Sequence, residues 1–279
     1  PINNSVTELT SRPTHDDITI DKGKNKTEDH IALSAPMEDP RELTSVKNLI
    51  RSLEVNRHEK LTEMIKNSVI VGLFDDDHLL IQYQSQLLMI KHSNFASQML
   101  YQKCLLGFGF HDIWCFEEPF QVKSLLSDHI ASHYPENLKD VESIIELIGE
   151  KSELLLEYFS LQMMKGQLRT LPRLLEGLER PPEDIVCDFL YRLATTVDWD
   201  DEEACFDKIS KLLSGLFCAL ACSQPRHEEY VRHFLYPALK GSDLSKFGRA
   251  IGYDNSLVAD GSITELTTTH ELYKIFERC

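Results

Sequence analysis

Basic residues are scarce in this chain of 279 residues: 29 Lys and Arg stand against 45 Asp and Glu, a net charge of −16. Such a surface repels phosphate backbones, and no run of five or more Lys/Arg interrupts it. Tight nucleic-acid binding by this segment alone is therefore not expected. Long apolar runs are missing too, none approaching the ~18–20 residues of a membrane span, so no membrane helix is expected. There is no Walker-type phosphate loop, no nucleophile elbow and no dinucleotide fingerprint. Gly107-Phe108-Gly109-Phe110 lacks the third glycine and a following helix start. The cysteines number seven, with no paired spacing framework. That argues against a disulfide scaffold and for the reduced thiols of a cytosolic or nuclear protein.

What is present divides in two. The chain opens on Pro1 rather than Met, which suggests a piece of a longer protein. Residues 1–42 are polar, broken by Pro13, Pro36 and Pro40, with only isolated apolar residues such as Ile18 and Ile31. So little apolar surface does not offset the entropy of ordering, and the segment reads as a flexible linker. From Leu43 the pattern changes: Val46, Leu49, Ile50 and Leu53, then Leu61, Met64 and Ile65, trace helical faces.

Strands follow. Val69 to Phe74 is β-branched and apolar, Asp75-Asp76-Asp77 is a turn, and Leu79 to Tyr83 and Leu87 to Ile90 continue the meander. The Asp triplet is no calcium loop, because His78-Leu79-Leu80 removes the alternate oxygen ligands. A helix is expected over Phe95–Leu106 and a strand over His111–Phe116, stopped by Pro119. Helices are then expected over Val122–His133, Leu138–Leu161, Glu183–Ala194, Glu202–Cys222 and Glu228–Leu239, with loops around Gly166, Gly177, Pro181 and Pro182. The class is α+β with two subdomains.

Candidate chemistry is thin. His129 and His133 lie at i, i+4, the spacing by which two imidazoles share a zinc. The intervening Ile130, Ala131 and Ser132 supply no general base, and no third ligand is suggested nearby. A self-contained metal-dependent hydrolase on this pair is the alternative from the enzyme class. Cys218 and Cys222 share a helical face with His227 close behind, but their apolar neighbours favour cysteine as a small core hydrophobe. Asp200-Asp201-Glu202-Glu203 suits a helix start, capped by Asp198 or Asp200. At the end of the chain, Leu272, Ile275 and Phe276 form an apolar stripe opposite Glu271, Lys274, Glu277 and Arg278, and the last residue is Cys279. Taken alone, this is a last helix docked on its own domain with a spare thiol, or a tail that reaches a partner.

The ending Leu272-Tyr273-Lys274-Ile275-Phe276-Glu277-Arg278-Cys279 resembles the terminus of the eukaryotic MutL homologue 1 family of mismatch-repair proteins. Internal stretches agree: Glu157-Tyr158-Phe159-Ser160-Leu161, Tyr191 to Trp199, Glu202-Glu203-Ala204-Cys205-Phe206, and the helix-to-strand segment from His58 to Gly72. The resemblance covers residues 43–279, and the family's ATPase domain is not in it. It implies a mixed sheet with flanking helices forming a dimerisation subdomain, over about 43–117 and 201–279. A mainly helical outer subdomain is implied for about 118–200.

The resemblance also implies a heterodimerisation scaffold in the nucleus, paired with a PMS-type MutL subunit that carries a latent metal-dependent endonuclease. That partner's motif, Asp-Gln-His-Ala-x-x-Glu-Arg, falls here on Lys91-His92-Ser93-Asn94-Phe95-Ala96-Ser97-Gln98. A lysine in place of a metal-binding carboxylate opposes a dication, so the chain is not expected to be an enzyme by itself. The isolated chain is expected to hold no cofactor. Cys279 is implied as a ligand in trans to zinc shared with the partner, with Leu272, Tyr273, Ile275, Phe276, Glu277 and Arg278 at the interface. Glu202 falls on the acidic position of a site where exonucleases and other repair factors dock short basic-aromatic peptides. A purely structural homodimer is the remaining alternative.

Overall fold

A computed structural model describes residues 39–133, 141–241 and 251–268, together with His270, Glu271 and Lys274. Most of the expected linker lies outside the described residues. So do Leu272, Tyr273, Ile275, Phe276, Glu277, Arg278 and Cys279.

The order begins with a 3-10 turn, Pro40–Glu42, capped by the Asp39 carboxylate. Helices α1 (Thr44–Asn56) and α2 (Glu59–Asn67) lead into β1 (Val69–Leu73), β2 (His78–Tyr83) and β3 (Gln86–Lys91). Asp75 accepts from the backbone N–H groups of Asp77 and His78 at 2.9 and 2.7 Å, so the Asp triplet is the β1–β2 turn. The strands pair antiparallel, and β7 (Ile263–Thr268) returns to the far side of β3, giving the order β1-β2-β3-β7.

Helix α3 (His92–Leu106) leaves β3 directly and is buried on nearly every side, through Phe95, Ala96, Met99, Leu100, Cys104 and Leu105. A helix apolar all round belongs inside. Its main partner is α8 (Glu202–Cys222), whose stripe of Cys205, Phe206, Ile209, Leu213, Leu216, Phe217 and Leu220 recurs at helical spacing. Small residues let the two axes approach, and Ser214 Oγ donates to the Ser97 carbonyl at 2.7 Å. Helix α1 packs across both.

Residues 113–196 form β4 (Ile113–Gln121), α4 (Val122–His133), α5 (Val141–Glu150), α6 (Ser152–Phe159), β5 (Gln162–Met164), β6 (Gln167–Pro172) and α7 (Glu183–Thr196). This stretch is mainly helical, and it adds a three-stranded antiparallel sheet in the order β4-β6-β5. The sequence pattern expects loops around Gly166. The structure places a tight hairpin there, with Lys165 and Gly166 both at positive φ (53° and 73°), as a primed two-residue turn requires. The strand expected to stop before Pro119 runs on to Gln121. It lies at a sheet edge and its register shifts between Cys115 and Phe120, a setting that tolerates proline.

After α8 come α9 (His227–Tyr230), a wide π turn (Val231–Leu235) and α10 (Tyr236–Leu239), where one continuous helix is expected. Pro237 has no N–H to bond back four residues, which accounts for a break at this place. Residues 251–254 then strap the start of α2. Tyr253 N donates to Thr62 Oγ1 at 2.9 Å, its carbonyl accepts from His58 N at 2.7 Å, and its hydroxyl donates to the Leu239 carbonyl. A short α11 (Ser256–Ala259) precedes β7.

Candidate functional site

The first sheet has two unlike faces. Leu79, Ile81, Leu88 and Ile90 point inward and are buried in the main core. Their alternates point the other way: Val69 is 63% exposed and Val71 50%, with Leu80, Leu87 and Met89 half-buried beside them. Register aligns Val69, Gln82, Leu87 and Thr267 in one row across the sheet, and Gly72, Leu80, Met89 and Thr264 in the next. Leu266, the extra residue of the bulge between those rows, is 47% exposed. No ionisable residue lies in either row. Charge lies beside them at Glu265, on the intervening row of β7 and bonded by Gln86 Nε2 at 2.7 Å, and beyond them where His78 opposes Lys91 and the Asp triplet begins.

This explains why β2 and β3 read as unbroken apolar runs rather than alternating ones. A strand with solvent on one side alternates, whereas one covered on both sides does not. The inward side is covered by the main core, with α2 packed against β2. An uncharged apolar face of this kind is the usual mark of a protein-docking surface.

A second surface gathers around the start of α8. Asp201, rather than Asp198 or Asp200, is the N-cap: its carboxylate accepts from Ala204 N at 2.9 Å. Asp198 instead turns the preceding loop by accepting from Asp200 N. Glu202 is therefore not needed as a cap. It is exposed and accepts from Ser45 Oγ at 2.5 Å, while Glu203 accepts from Asn48 Nδ2 at 2.9 Å. Together these tie α1 to α8.

Aromatic rings lie alongside. Tyr158 stacks on Phe108 with centroids 5.2 Å apart and meets Phe206 edge-on. Burial, first, and then the Glu157 and Glu202 charges raise the Tyr158 hydroxyl above the usual phenol range. Gly109 N donates to the Tyr158 carbonyl, and the half-exposed Phe110 that follows it in the chain lies under the Arg41 guanidinium at 4.9 Å. The arrangement is an exposed carboxylate beside a ring-lined shelf.

The stretch from Lys91 to Gln98 sits on a strand-to-helix step, and several of its polar groups are engaged within the fold. Lys91 faces Asp77 at 3.5 Å, Asn94 donates to Ser262 Oγ at 2.7 Å, and Gln98 donates to Asp254 Oδ1 at 2.8 Å. Among the described residues no group of three or more His, Cys, Asp or Glu side chains is arranged to hold a metal ion. His129 and His133 stack on one another, ring centroids 4.5 Å apart, and burial followed by the His133 charge lowers the His129 pKa. Among the described residues no helix is long and apolar enough to cross a membrane.

Sequence comparison agrees with the geometry in extent. The family described as the DNA mismatch repair protein Mlh1 C-terminus matches residues 42–279. Mlh1 of Dictyostelium discoideum is 30% identical over 274 residues, covering 85% of this chain and 30% of that protein. MLH1 of Saccharomyces cerevisiae is 25% identical over 270 residues, 85% of this chain and 34% of its own length. The putative MutL protein homolog 1 of Schizosaccharomyces pombe is 23% identical over 241 residues, 85% and 35%. The chain thus spans about a third of the length of these curated relatives.

Proposed function

This chain belongs to the Mlh1 C-terminal family, and on that premise we propose that it is a dimerisation and docking module of DNA mismatch repair whose open sheet face binds a PMS-type MutL subunit. The observation that carries the proposal is the uncharged apolar face of β1, β2, β3 and β7, with Val69, Val71 and Leu266 exposed on a fold whose other sheet face is already covered. Burying such a face against a matching one is driven by its apolar area, at roughly 25 cal/mol per Å2 before the costs of association.

In this reading the chain is no nuclease by itself. The position where the partner's motif begins with a carboxylate carries Lys91, whose ammonium opposes a dication. Cys279 acts instead in the partner's site. A thiolate is a good zinc ligand, and a chain end enters a neighbour without closing a loop. One thiolate is a single ligand, so the partner supplies the remainder of the set, and zinc there is shared rather than held by this chain alone. The role belongs in the nucleus. Glu202 and the Tyr158–Phe110 shelf receive short peptides of exonucleases and other repair factors, the carboxylate pairing with a basic residue and the shelf with an aromatic.

Native mass spectrometry of the chain mixed with a PMS-type C-terminal domain tests the central claim. A one-to-one heterodimer is expected. A chain that stays a homodimer or monomer at micromolar concentrations overturns it.

A further inference from the structure

Helix α1 is well seated at one end only. Its buried residues, Ser45, Val46 and Ile50, all fall in the first two turns, and none from Arg51 to Asn56 is buried. Alongside its second half lies a cleft of about 450 Å3. The walls are Leu49 and Leu53 of α1, Tyr101 of α3, Asp207 and Lys211 of α8, and Asp254 of the strap. Leu49 and Leu53 are half-buried, so apolar surface lies open to the cleft.

The polar groups of the cleft are committed to the fold. Tyr101 donates its hydroxyl to one Asp207 oxygen at 2.6 Å, and Lys211 Nζ donates to the other at 2.6 Å. Gln98 Nε2 donates to Asp254 Oδ1 at 2.8 Å, and its Oε1 accepts from Asp254 N at 3.1 Å. Gln102 holds Gly252 in the same reciprocal way, at 2.5 and 2.9 Å. These bonds fix the floor and far wall before anything binds, and a preorganised site loses less on binding. What remains for a ligand is apolar: Leu49, Leu53 and the Tyr101 ring, the usual lining of a binding cleft.

The cleft continues from the Glu202 surface. Ser45 and Asn48, which meet Glu202 and Glu203, precede Leu49 and Ser52 by one turn on the same side of α1. Asp207 follows Glu203 by the same step on α8. Along this path stand Glu202, Glu203, Asp207 and Asp254, with Lys211 as the cation, itself paired with Asp207. Such a field favours a basic chain.

We propose that this cleft is a second anchor point for the repair-factor peptides proposed for Glu202, taking an apolar side chain about two to four residues from their basic residue. The inference rests on the Glu202 docking site. Its spacing comes from helix geometry. Asp207 and Lys211 lie five and nine residues beyond Glu202, roughly 8 and 14 Å along α8. An extended peptide advances about 3.3 Å per residue, so about two to four residues cover that distance.

Calorimetric titration of the full chain with synthetic peptides tests this. Each peptide holds one arginine beside a fixed aromatic, and a single leucine is moved residue by residue to either side in a Gly-Ser background. An optimum is expected on one side, about two to four residues from the arginine. There leucine should bind about tenfold tighter than alanine, as burial of its side chain predicts. Ser52→Trp lays a ring over the mouth, at an exposed position whose hydroxyl only bonds back to the Asn48 carbonyl at 3.1 Å. It is expected to erase the leucine gain and leave the alanine peptide within about twofold. Asn56→Trp, at the exposed end of α1, is expected to do the same and stands in should the first variant misfold. A flat leucine scan, or a gain that survives the folded Trp variants, overturns the cleft; where Glu202→Lys still abolishes binding, the Glu202 site stands without it. Binding by none of the peptides, or binding untouched by Glu202→Lys, overturns both.

Discussion

His92 and His227 direct their Nε2 atoms at one acceptor, the carbonyl oxygen of Asp76, at 3.1 and 3.0 Å, with ring centroids 5.4 Å apart. His92 is fully buried, and its Nδ1 atom has no hydrogen-bond partner among the described residues. Burial is the main cause that lowers its pKa and the His227 charge the second, against smaller upward pulls from Asp77, the Asp76 carbonyl and Asp75. A histidine held neutral in the fold binds fewer protons than it does unfolded. Stability therefore rises with pH through this group, is complete above the unfolded value of about 6.5, and falls as pH drops below it. The loss has a slope of at most about 1.4 kcal/mol per pH unit. Urea midpoints measured between pH 7.5 and 5.5 should decline for the native chain. They should decline less for His92→Gln, which keeps a donor for Asp76 and has no charge to gain. An equal decline in both removes His92 as the cause.

Gly109 sits at φ +75°, and a Cβ built there would lie 2.6 Å from Cγ of Pro40. Both terms oppose any side chain: the left-handed backbone costs an L-residue about 1 kcal/mol or more, and the ring of Pro40 must also move. Gly109→Ala is expected to lower stability by roughly 2 kcal/mol, read as a shift of several degrees in the thermal midpoint. Gly149, whose Cβ would meet nothing within 4 Å, serves as the control. In a helix interior alanine is favoured over glycine, so Gly149→Ala should be neutral or stabilising. Equal effects at the two positions would show that the Pro40 contact is unimportant.

Much of this was legible where local and tertiary demands agree. The apolar spacing of α8 and the β-branched run of β1 mark their elements, and the step from Ile90 into α3 shows in the sequence, although the helix starts at His92 rather than Phe95. Legibility fails where one residue decides against its neighbours. Lys165-Gly166 looks like any loop, yet both adopt positive φ and close a hairpin. Ile263-Thr264-Glu265-Leu266-Thr267-Thr268 is too polar to announce a strand and becomes one only because β3 offers an edge. At the candidate surfaces the apolar strands were readable as sticky. Which residues face outward depended on register, and a one-residue slip would exchange Leu80 for Ile81.

The outward face makes a prediction that separates docking from folding. Val71 is half exposed and Leu266 nearly so, so lysine at either place reaches water in the free chain. Surface changes of this kind usually stay within about 0.5 kcal/mol of neutral. In the proposed heterodimer the same ammonium is buried without a partner, at a cost of several kcal/mol. Val71→Lys and Leu266→Lys should therefore leave the thermal midpoint nearly unchanged while abolishing co-elution with a PMS-type C-terminal domain. Retained co-elution would place the partner elsewhere on the fold.

Glu202 requires a control because it has a structural bond as well as its proposed task. Its carboxylate accepts from Ser45 Oγ, and reversal to lysine breaks that link between α1 and α8 along with any contact to a peptide. Removing the hydroxyl instead, by Ser45→Ala, breaks the link and spares the charge. Hydrogen bonds to charged groups contribute about 1.5–3 kcal/mol, so Glu202→Lys is expected to weaken a basic-aromatic repair peptide by roughly 10–150-fold in calorimetric titration. Ser45→Ala is expected to lower the thermal midpoint by a few degrees and to leave peptide affinity within about twofold, because Tyr158, Phe110 and the carboxylate all remain. Should both variants lose affinity in proportion to their lost stability, Glu202 is a strut between helices rather than a recognition residue. Should Glu202→Lys bind normally, the ring-lined shelf has another use.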